Sequence, residues 1–203
     1  MYFRQIKAKG DNFSYVVGDG ETKEAAVVDP SFNADVIIRV IKEHRLTVKY
    51  IIDTHGHWDH TAGNGEILSK LGGKVVAYRS SKADKEVGVV GGDVLKIGKL
   101  DIKIIHTPGH TFDSICLLVG DKLLTGDTLF VGECGRTDMP GGSAREMYHS
   151  LFGKLMKLDE DVKVYPGHDY GRAPYSTIGE EKKTNYTLEK RTLDQFIEFM
   201  EEP

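Results

Sequence analysis

The chain has 203 residues, which is enough for one globular domain with a substantial core, and its 27 basic and 31 acidic side chains give a net charge of −4. This mildly acidic balance disfavours a nucleic-acid partner, and the apolar runs are all much shorter than a membrane span. With two cysteines and no apolar segment typical of a signal peptide, a cytoplasmic protein is expected, and the oligomeric state stays open.

The first half of the chain alternates short strands with helices. Apolar runs bounded by turn residues predict strands at 2–8, 12–19, 24–30, 48–53 and 74–78. Between them, an apolar helical face containing Ile37 and Ile41 follows Asn33, a candidate N-cap, and a shorter helix ends at Gly72.

The second half continues with strands and then two capped helices. Several strands are predicted between Asp93 and about Leu124, and a further one at 162–165. Ser143 and Glu146 form a capping-box pattern for a helix that reaches Leu158, and Thr192 begins a second capped helix. These patterns predict one α/β domain spanning residues 1–203 with a short C-terminal helical tail.

The stretch "THGHWDH", residues 54–60, is the densest cluster of potential metal ligands. It follows a buried strand, and three later turns that also follow apolar strands contain His110, Asp127 and His168. If these strands end at the same edge, their loops converge on one site, because loops on a rigid scaffold commonly carry reactive groups. The candidate ligands are His55, His57, Asp59, His60, His110, Asp127 and His168.

Five imidazoles and two carboxylates exceed the four ligands of a tetrahedral zinc ion. They suit two divalent ions that share a bridging group, and nitrogen and oxygen ligands are compatible with zinc, iron or manganese. A metal site that only stabilises the fold is the competing interpretation, but such sites usually have four ligands and often contain cysteine. Neither Cys116 nor Cys134 lies at a ligand position, and no nucleophile elbow is present.

The four motifs resemble those of the metallo-β-lactamase superfamily. "THGHWDH", "TPGHT", "TGDTLF" and "YPGHDYG" stand in the order of that family's metal motifs and extend over most of the chain. The resemblance implies an α/β fold, the four-layer αβ/βα metallo-β-lactamase sandwich, with metals at one edge between two sheets.

Within the superfamily, the chain looks most like the glyoxalase II group. That resemblance implies one metal held by His55, His57 and His110, a second held by Asp59, His60 and His168, and Asp127 as the bridge. The reaction implied is hydrolysis of a thioester of a small thiol, as in a hydroxyacylglutathione hydrolase. Asp59 and Asp127 would position a metal-bound water, whose pKa falls to about 7 on a metal ion. A thiol with a pKa of about 8.5 can leave without a strong general acid.

A second resemblance leads to a different reaction. "GECGRTDMPGG", residues 132–142, and "STIGEEKKTN", residues 176–185, resemble segments of persulfide dioxygenases. In that branch a single Fe(II) is held by the counterparts of His55, His110 and Asp127, and O₂ is consumed. Glyoxalase II enzymes also have a longer helical C-terminal domain that holds glutathione, whereas little more than one helix is expected here after His168.

Residues beside the ligands complete the predicted site. Arg136 is a candidate for binding an anionic group of the thiol-derived substrate, with an ion pair to Asp138 as the alternative. Tyr170 could reach the substrate through its hydroxyl, with packing as the alternative. Asp29 could orient a ligand histidine, although a turn cap is the favoured interpretation.

Overall fold

The computed structural model describes residues 1–8 and 10–201, and within them twelve strands form two six-stranded sheets. The first sheet contains β1 (Tyr2–Lys7), β2 (Phe13–Gly18), β3 (Glu24–Val28), β4 (Thr47–Ile52), β5 (Lys74–Tyr78) and β6 (Val87–Val89). The second contains β7 (Val94–Ile97), β8 (Leu100–His106), β9 (Ile115–Val119), β10 (Lys122–Gly126), β11 (Lys163–Pro166) and β12 (Ser176–Thr177). In both sheets, the spatial order of the strands follows the chain order.

Helices cover the outer faces of both sheets. They are α1 (Ala34–Glu43), α3 (Asn64–Leu71), α4 (Ala144–Gly153), α5 (Ile178–Thr184) and α6 (Leu193–Glu201), with 3-10 turns at Leu155–Lys157 and Tyr186–Leu188. The short α2 (Trp58–Thr61) carries two of the predicted ligands. Apolar residues of α1 and α3 pack on the first sheet, and those of α4, α5 and α6 pack on the second. The inner faces of the sheets share a third apolar cluster. The predicted four-layer αβ/βα sandwich is therefore confirmed.

The apolar run in β4 explains why the first sheet is covered on both faces. Ile51 packs among the helices on the outer side, whereas its neighbour Ile52 packs between the two sheets, and both are fully buried. Successive strand residues point to opposite faces, so a continuous apolar run specifies a strand covered on both sides. Each such isoleucine contributes about 1.5–3 kcal/mol through burial.

Strand direction brings the predicted site together. In the first sheet β3, β4 and β5 are parallel, so the chain leaves β3 and β4 at the same edge. In the second sheet β10 and β11 are parallel, and β8 runs in the same direction because it is antiparallel to β9, which is antiparallel to β10. The carboxyl ends of the motif-bearing strands therefore meet at one edge of the sandwich.

Most predicted elements are present, and the differences have local causes. The capping boxes are confirmed, since the Ser143 hydroxyl accepts a hydrogen bond from the Glu146 N–H and Thr192 and Gln195 bond reciprocally. The predicted continuation of α4 to Leu158 is wrong, because α4 ends at Gly153 and a 3-10 turn follows. Glycine in a helix costs about 1 kcal/mol relative to alanine, which favours this break.

The region after His168 contains more structure than predicted. The expectation of little more than one helix is wrong, because β12, α5, a 3-10 turn and α6 all follow. The side chain of Phe196 in α6 is fully buried against α4. The division into one domain over residues 1–203 with a short helical tail stays a prediction.

No helix within residues 1–8 and 10–201 combines the length and apolar character needed to cross a membrane.

Candidate metal centre

The seven predicted ligand side chains lie together at the shared edge of the two sheets. Three groups offer one ligand atom each with all atoms within 4.8 Å of one another. They are His55, His57 and His110; His55, His60 and Asp127; and Asp59, His60 and His168. Most of these side chains are buried, while His57 and Asp59 lie partly open to solvent. The sequence motifs thus lead to one compact cluster.

The first group presents three ring nitrogens to one another. His57 Nδ1 lies 3.0 Å from His55 Nε2 and 3.0 Å from His110 Nε2. Two ligand atoms about 2.1 Å from one ion lie about 3.0 Å apart at a right angle and about 3.4 Å apart at the tetrahedral angle. The spacing of these nitrogens therefore fits a single ion between them.

The second group has similar spacing. His60 Nε2 and His168 Nε2 lie 3.2 Å apart, and each lies 3.4 Å from Asp59 Oδ2. Asn12, which was missed from the sequence, donates from Nδ2 to the same Asp59 oxygen at 2.9 Å. This amide holds the Asp59 carboxylate in place, although Asn12 is remote in sequence and offers no motif.

Asp127 lies between the two groups. Its Oδ2 is 3.6 Å from His110 Nε2 and 3.3 Å from His168 Nε2, and its Oδ1 is 3.3 Å from His60 Nε2. Oδ1 is buried without a hydrogen-bond partner. A buried carboxylate oxygen without a partner is costly unless a cation binds it. Asp127 Oδ1 lacks a partner, and the ring nitrogens of the two groups face one another. These side chains therefore fit a bound metal.

Hydrogen bonds on the outer side of the rings set their tautomers. His110 Nδ1 donates to the carbonyl oxygen of Arg136 at 2.9 Å, and His60 Nδ1 donates to Asp29 Oδ2 at 3.0 Å. In the neutral ring, the opposite nitrogen, Nε2, therefore presents its lone pair to the centre. The favoured interpretation of Asp29 as only a turn cap is wrong, since its carboxylate orients a predicted ligand.

Thr54 links Asp29 to a second ligand. The Thr54 hydroxyl donates to Asp29 Oδ2 at 2.7 Å, so its oxygen can accept from His55 Nδ1, which is 3.1 Å away. The backbone N–H of Thr54 also donates to Asp29 Oδ1 at 2.7 Å. Asp29 thus fixes both the β4 loop and the tautomers of His55 and His60.

Burial and neighbouring charges control the protonation of the ligands. Burial lowers the pKa of His55 well below the usual imidazole value and also lowers the pKa of His57, so both rings are neutral. Burial would lower the pKa of His60 as well, but Asp127 and Asp29 raise it well above the usual value. Burial would raise the pKa of Asp127, but His60 holds it well below its usual range. Metal binding at His60 therefore displaces a proton.

At two positions near Asp127, the chain packs so closely that only glycine fits. A Cβ atom on Gly135 would lie 1.9 Å from the backbone oxygen of Asp127, and one on Gly167 would lie 2.3 Å from Asp127 Oδ1. Both distances are far inside van der Waals contact. The glycines in "ECGRTD" and "YPGHDYG" thus let two loops close around Asp127.

The two predicted substrate-binding residues have different surroundings. The guanidinium of Arg136 makes two hydrogen bonds of 2.6 Å to the carboxylate of Asp138 on the surface, which was the alternative considered for it. The ring of Tyr170 stacks on His168 with the centroids 4.8 Å apart. Burial raises the pKa of Tyr170 to about 12, so its hydroxyl is a proton donor at neutral pH. The substrate roles of both residues stay predictions.

Neither thiol is placed to act as a nucleophile. Cys116 and Cys134 are free and buried, and burial raises the pKa of each to about 11. We expect both to resist iodoacetamide in the native protein at pH 8, since only about one thiol in a thousand would be ionised. Mass spectrometry after timed labelling measures this, with the urea-unfolded chain as the control. Rapid native labelling of either residue would contradict the described burial.

The fold and this cluster of ligands define a metal-dependent enzyme class. The sequence model of the family described as the metallo-beta-lactamase superfamily matches residues 9–84 and 77–168, and the chain belongs to this family. It is an enzyme of that superfamily, with a metal site built from histidine and aspartate.

The similar proteins with known names include a persulfide dioxygenase and a hydroxyacylglutathione hydrolase. A mitochondrial persulfide dioxygenase ETHE1 of Homo sapiens is 35% identical over 192 residues, covering 93% of this chain and 75% of that protein. The hydroxyacylglutathione hydrolase of Pelagibacter ubique is 32% identical over 206 residues, covering 98% and 84%. The crystal structure of ETHE1 from Myxococcus xanthus matches with a TM-score of 0.94 at 36% identity, covering 99% of this chain and 90% of that one. Both resemblances noted in the sequence are confirmed, and the dioxygenase receives the stronger support.

Proposed function

We propose that the chain is a persulfide dioxygenase that acts on a small thiol-derived substrate with one Fe(II). The observation that carries this proposal is its likeness to ETHE1 of Myxococcus xanthus, at 36% identity over nearly the whole length of both chains. The thioester hydrolase favoured from the sequence is the less supported interpretation. The seven ligand-type residues are compatible with both reactions, so the ligand list alone does not choose between them.

His55, His110 and Asp127 are the proposed iron ligands. When bound, iron held by two imidazoles and one carboxylate supplies the redox chemistry of a non-haem oxygenase and keeps open positions for substrate. Thr54 and the Arg136 carbonyl orient the two rings with Nε2 inward. Because Asp127 stays ionised, it offers an anionic oxygen at neutral pH.

The residues around these ligands contribute to substrate binding. Tyr170 keeps a protonated hydroxyl beside His168 and can donate a hydrogen bond to the substrate. Phe130 packs edge-on against both His168 and Tyr170, with ring centroids 5.9 Å and 5.1 Å away, and places an apolar ring beside them. Asp59 belongs to the second group of ligands and is held there by the amide of Asn12.

Hydroxyacylglutathione hydrolysis is the second candidate, because a hydrolase of that name is 32% identical over 98% of this chain. In that reaction two divalent ions, zinc, iron or manganese, would occupy both groups of ligands. Asp59 and Asp127 would then position the attacking water. The cytoplasmic location stays a prediction, and the human relative is named as mitochondrial.

Metal content and oxygen use distinguish the two candidates. We expect protein purified under nitrogen to contain one iron per chain and to consume O₂ with glutathione persulfide, with little cleavage of S-lactoylglutathione. Metal is measured by mass spectrometry and oxygen with an electrode, and chelator-treated protein is the control. Two metals per chain with thioester cleavage and no oxygen uptake would establish the hydrolase instead.

A further inference from the structure

Glu181 is a buried acidic residue that belongs to none of the three groups of ligand side chains. It lies in α5, is fully buried, and accepts hydrogen bonds through Oε2 from the Gly132 N–H at 2.9 Å and from Asn185 Nδ2 at 2.7 Å. Its Oε1 has no hydrogen-bond partner, and among the described residues 1–8 and 10–201 no lysine or arginine forms a salt bridge with it. Burying an acidic group with one oxygen left without a partner opposes folding, so fold stability alone does not account for it.

One partner of Glu181, Gly132, belongs to a tight turn, and the other, Asn185, bonds to the same turn. Phe130 N–H donates to the Glu133 carbonyl at 2.8 Å, and Gly132 within this turn has a φ of +92°. Asn185 Nδ2 also donates to the Glu133 carbonyl at 3.2 Å. Glu181 and Asn185 therefore hold the turn from the same side, and we call these two residues the α5 clamp.

The clamped turn leads directly into contacts with two predicted ligands. Three residues beyond Gly132, Gly135 lies so close to the Asp127 backbone that a Cβ there would overlap its oxygen at 1.9 Å. The next carbonyl, that of Arg136, accepts the hydrogen bond from His110 Nδ1 at 2.9 Å. A displacement of the turn would move both contacts, because only four peptide units separate Gly132 from Arg136.

We propose that Glu181 is a positioning residue of the metal centre, which it acts on through Gly132 and the Arg136 carbonyl. It keeps the His110 ring oriented and in the tautomer whose Nε2 faces the metal. The proposal also gives a physical reason why "GECGRTDMPGG" and "STIGEEKKTN" occur in the same chain, since the two segments bond to each other. It rests on the proposed metal centre and holds for one-metal and two-metal reactions alike.

Three substitutions test the role of Glu181. Glu181→Met keeps the apolar length and removes both acceptor contacts, while Glu181→Gln can keep both through its carbonyl oxygen. Glu180→Gln is the matched control, because Glu180 is adjacent but pairs with Arg172 on the surface. The first readout is Co(II) affinity by chelator competition, and the second is the ¹⁵N signal of the His110 ring in the metal-free protein.

We expect Glu181→Met to lose about 10–100-fold in Co(II) affinity, the usual effect of removing a residue that supports a metal ligand. Its His110 spectrum should show a mixture of tautomers, while circular dichroism shows a folded chain. Glu181→Gln and Glu180→Gln should remain close to the unmodified chain in both readouts. Rescue by glutamine separates positioning from a need for negative charge.

Two outcomes would overturn the proposal. One is a folded Glu181→Met protein that binds Co(II) as tightly as the unmodified chain with an unchanged His110 signal. If Glu181→Met fails to fold, Asn185→Ala decides, since it removes the other half of the α5 clamp and should cause a smaller loss in the same direction. No loss there would equally refute it. An unmodified chain without Co(II) affinity would instead refute the metal centre, while the His110 signal would still test the clamp.

Discussion

Replacing Asp127 with alanine is expected to abolish both metal binding and activity. Asp127 is the ligand-type residue that approaches both groups, with oxygen atoms within 3.6 Å of His60, His110 and His168. Its loss removes the ionised carboxylate that lies between the two groups of imidazoles. A metal contributes several kcal/mol to transition-state stabilisation, so the activity should fall by about 10³-fold or more.

Asp121→Ala is the matched control for this substitution. Asp121 also adjoins β10, but it lies on the surface, where it pairs with Lys122 and Lys163. Metal per chain and steady-state rates should therefore be nearly normal in the control and lost in Asp127→Ala, while circular dichroism shows both chains folded. Full metal content with full activity in Asp127→Ala would mean that the centre has been assigned to the wrong residues.

The metal ligands could be predicted because each carries a local signal. His55, His110, Asp127 and His168 all follow an apolar strand and lie in a turn rich in glycine, proline or threonine. Neighbouring strands run parallel, and this arrangement brings loops that are remote in sequence to one edge of the sandwich. The four-layer architecture followed from the same motifs through the family resemblance.

The residues that support the ligands could not be predicted in the same way. Asn12 bonds to a residue 47 positions away, and Glu181 bonds to Gly132 across 49 positions. Each residue stands beside one acidic residue, Asp11 or Glu180, but no local motif singles it out. Arg136 is the opposite case, since the predicted role of its side chain stays a prediction while its backbone carbonyl accepts the hydrogen bond from His110 Nδ1.

The pattern of ligand residues also does not predict the type of reaction. A hydrolase and an oxygenase can use the same histidines and aspartates, because metal identity and number are not encoded by ligand type alone. Similarity along the whole chain favours the oxygenase, including the segments 132–142 and 176–185 that the structure brings into contact. The ligand residues alone therefore do not predict which reaction the chain catalyses.

The second large effect is expected for Asp29→Ala. Alanine would leave three buried donors without an acceptor: the Thr54 N–H, the Thr54 hydroxyl and His60 Nδ1. Each unsatisfied buried donor costs about 1–3 kcal/mol, so the metal-free chain should lose about 3 kcal/mol or more in free energy of unfolding. Asp29 also has a φ of +48°, a left-handed conformation that alanine adopts less readily than aspartate or asparagine.

Asp29→Asn separates the contributions of charge and conformation. Asparagine tolerates the left-handed backbone and keeps one acceptor oxygen, so its loss of stability should lie between those of the alanine variant and a surface control. Asp35→Ala serves as that control, because Asp35 is exposed on α1. Urea unfolding of the metal-free proteins gives the order. Asp29→Ala within about 1 kcal/mol of the unmodified chain would contradict the described network, because one unsatisfied buried donor alone costs that much.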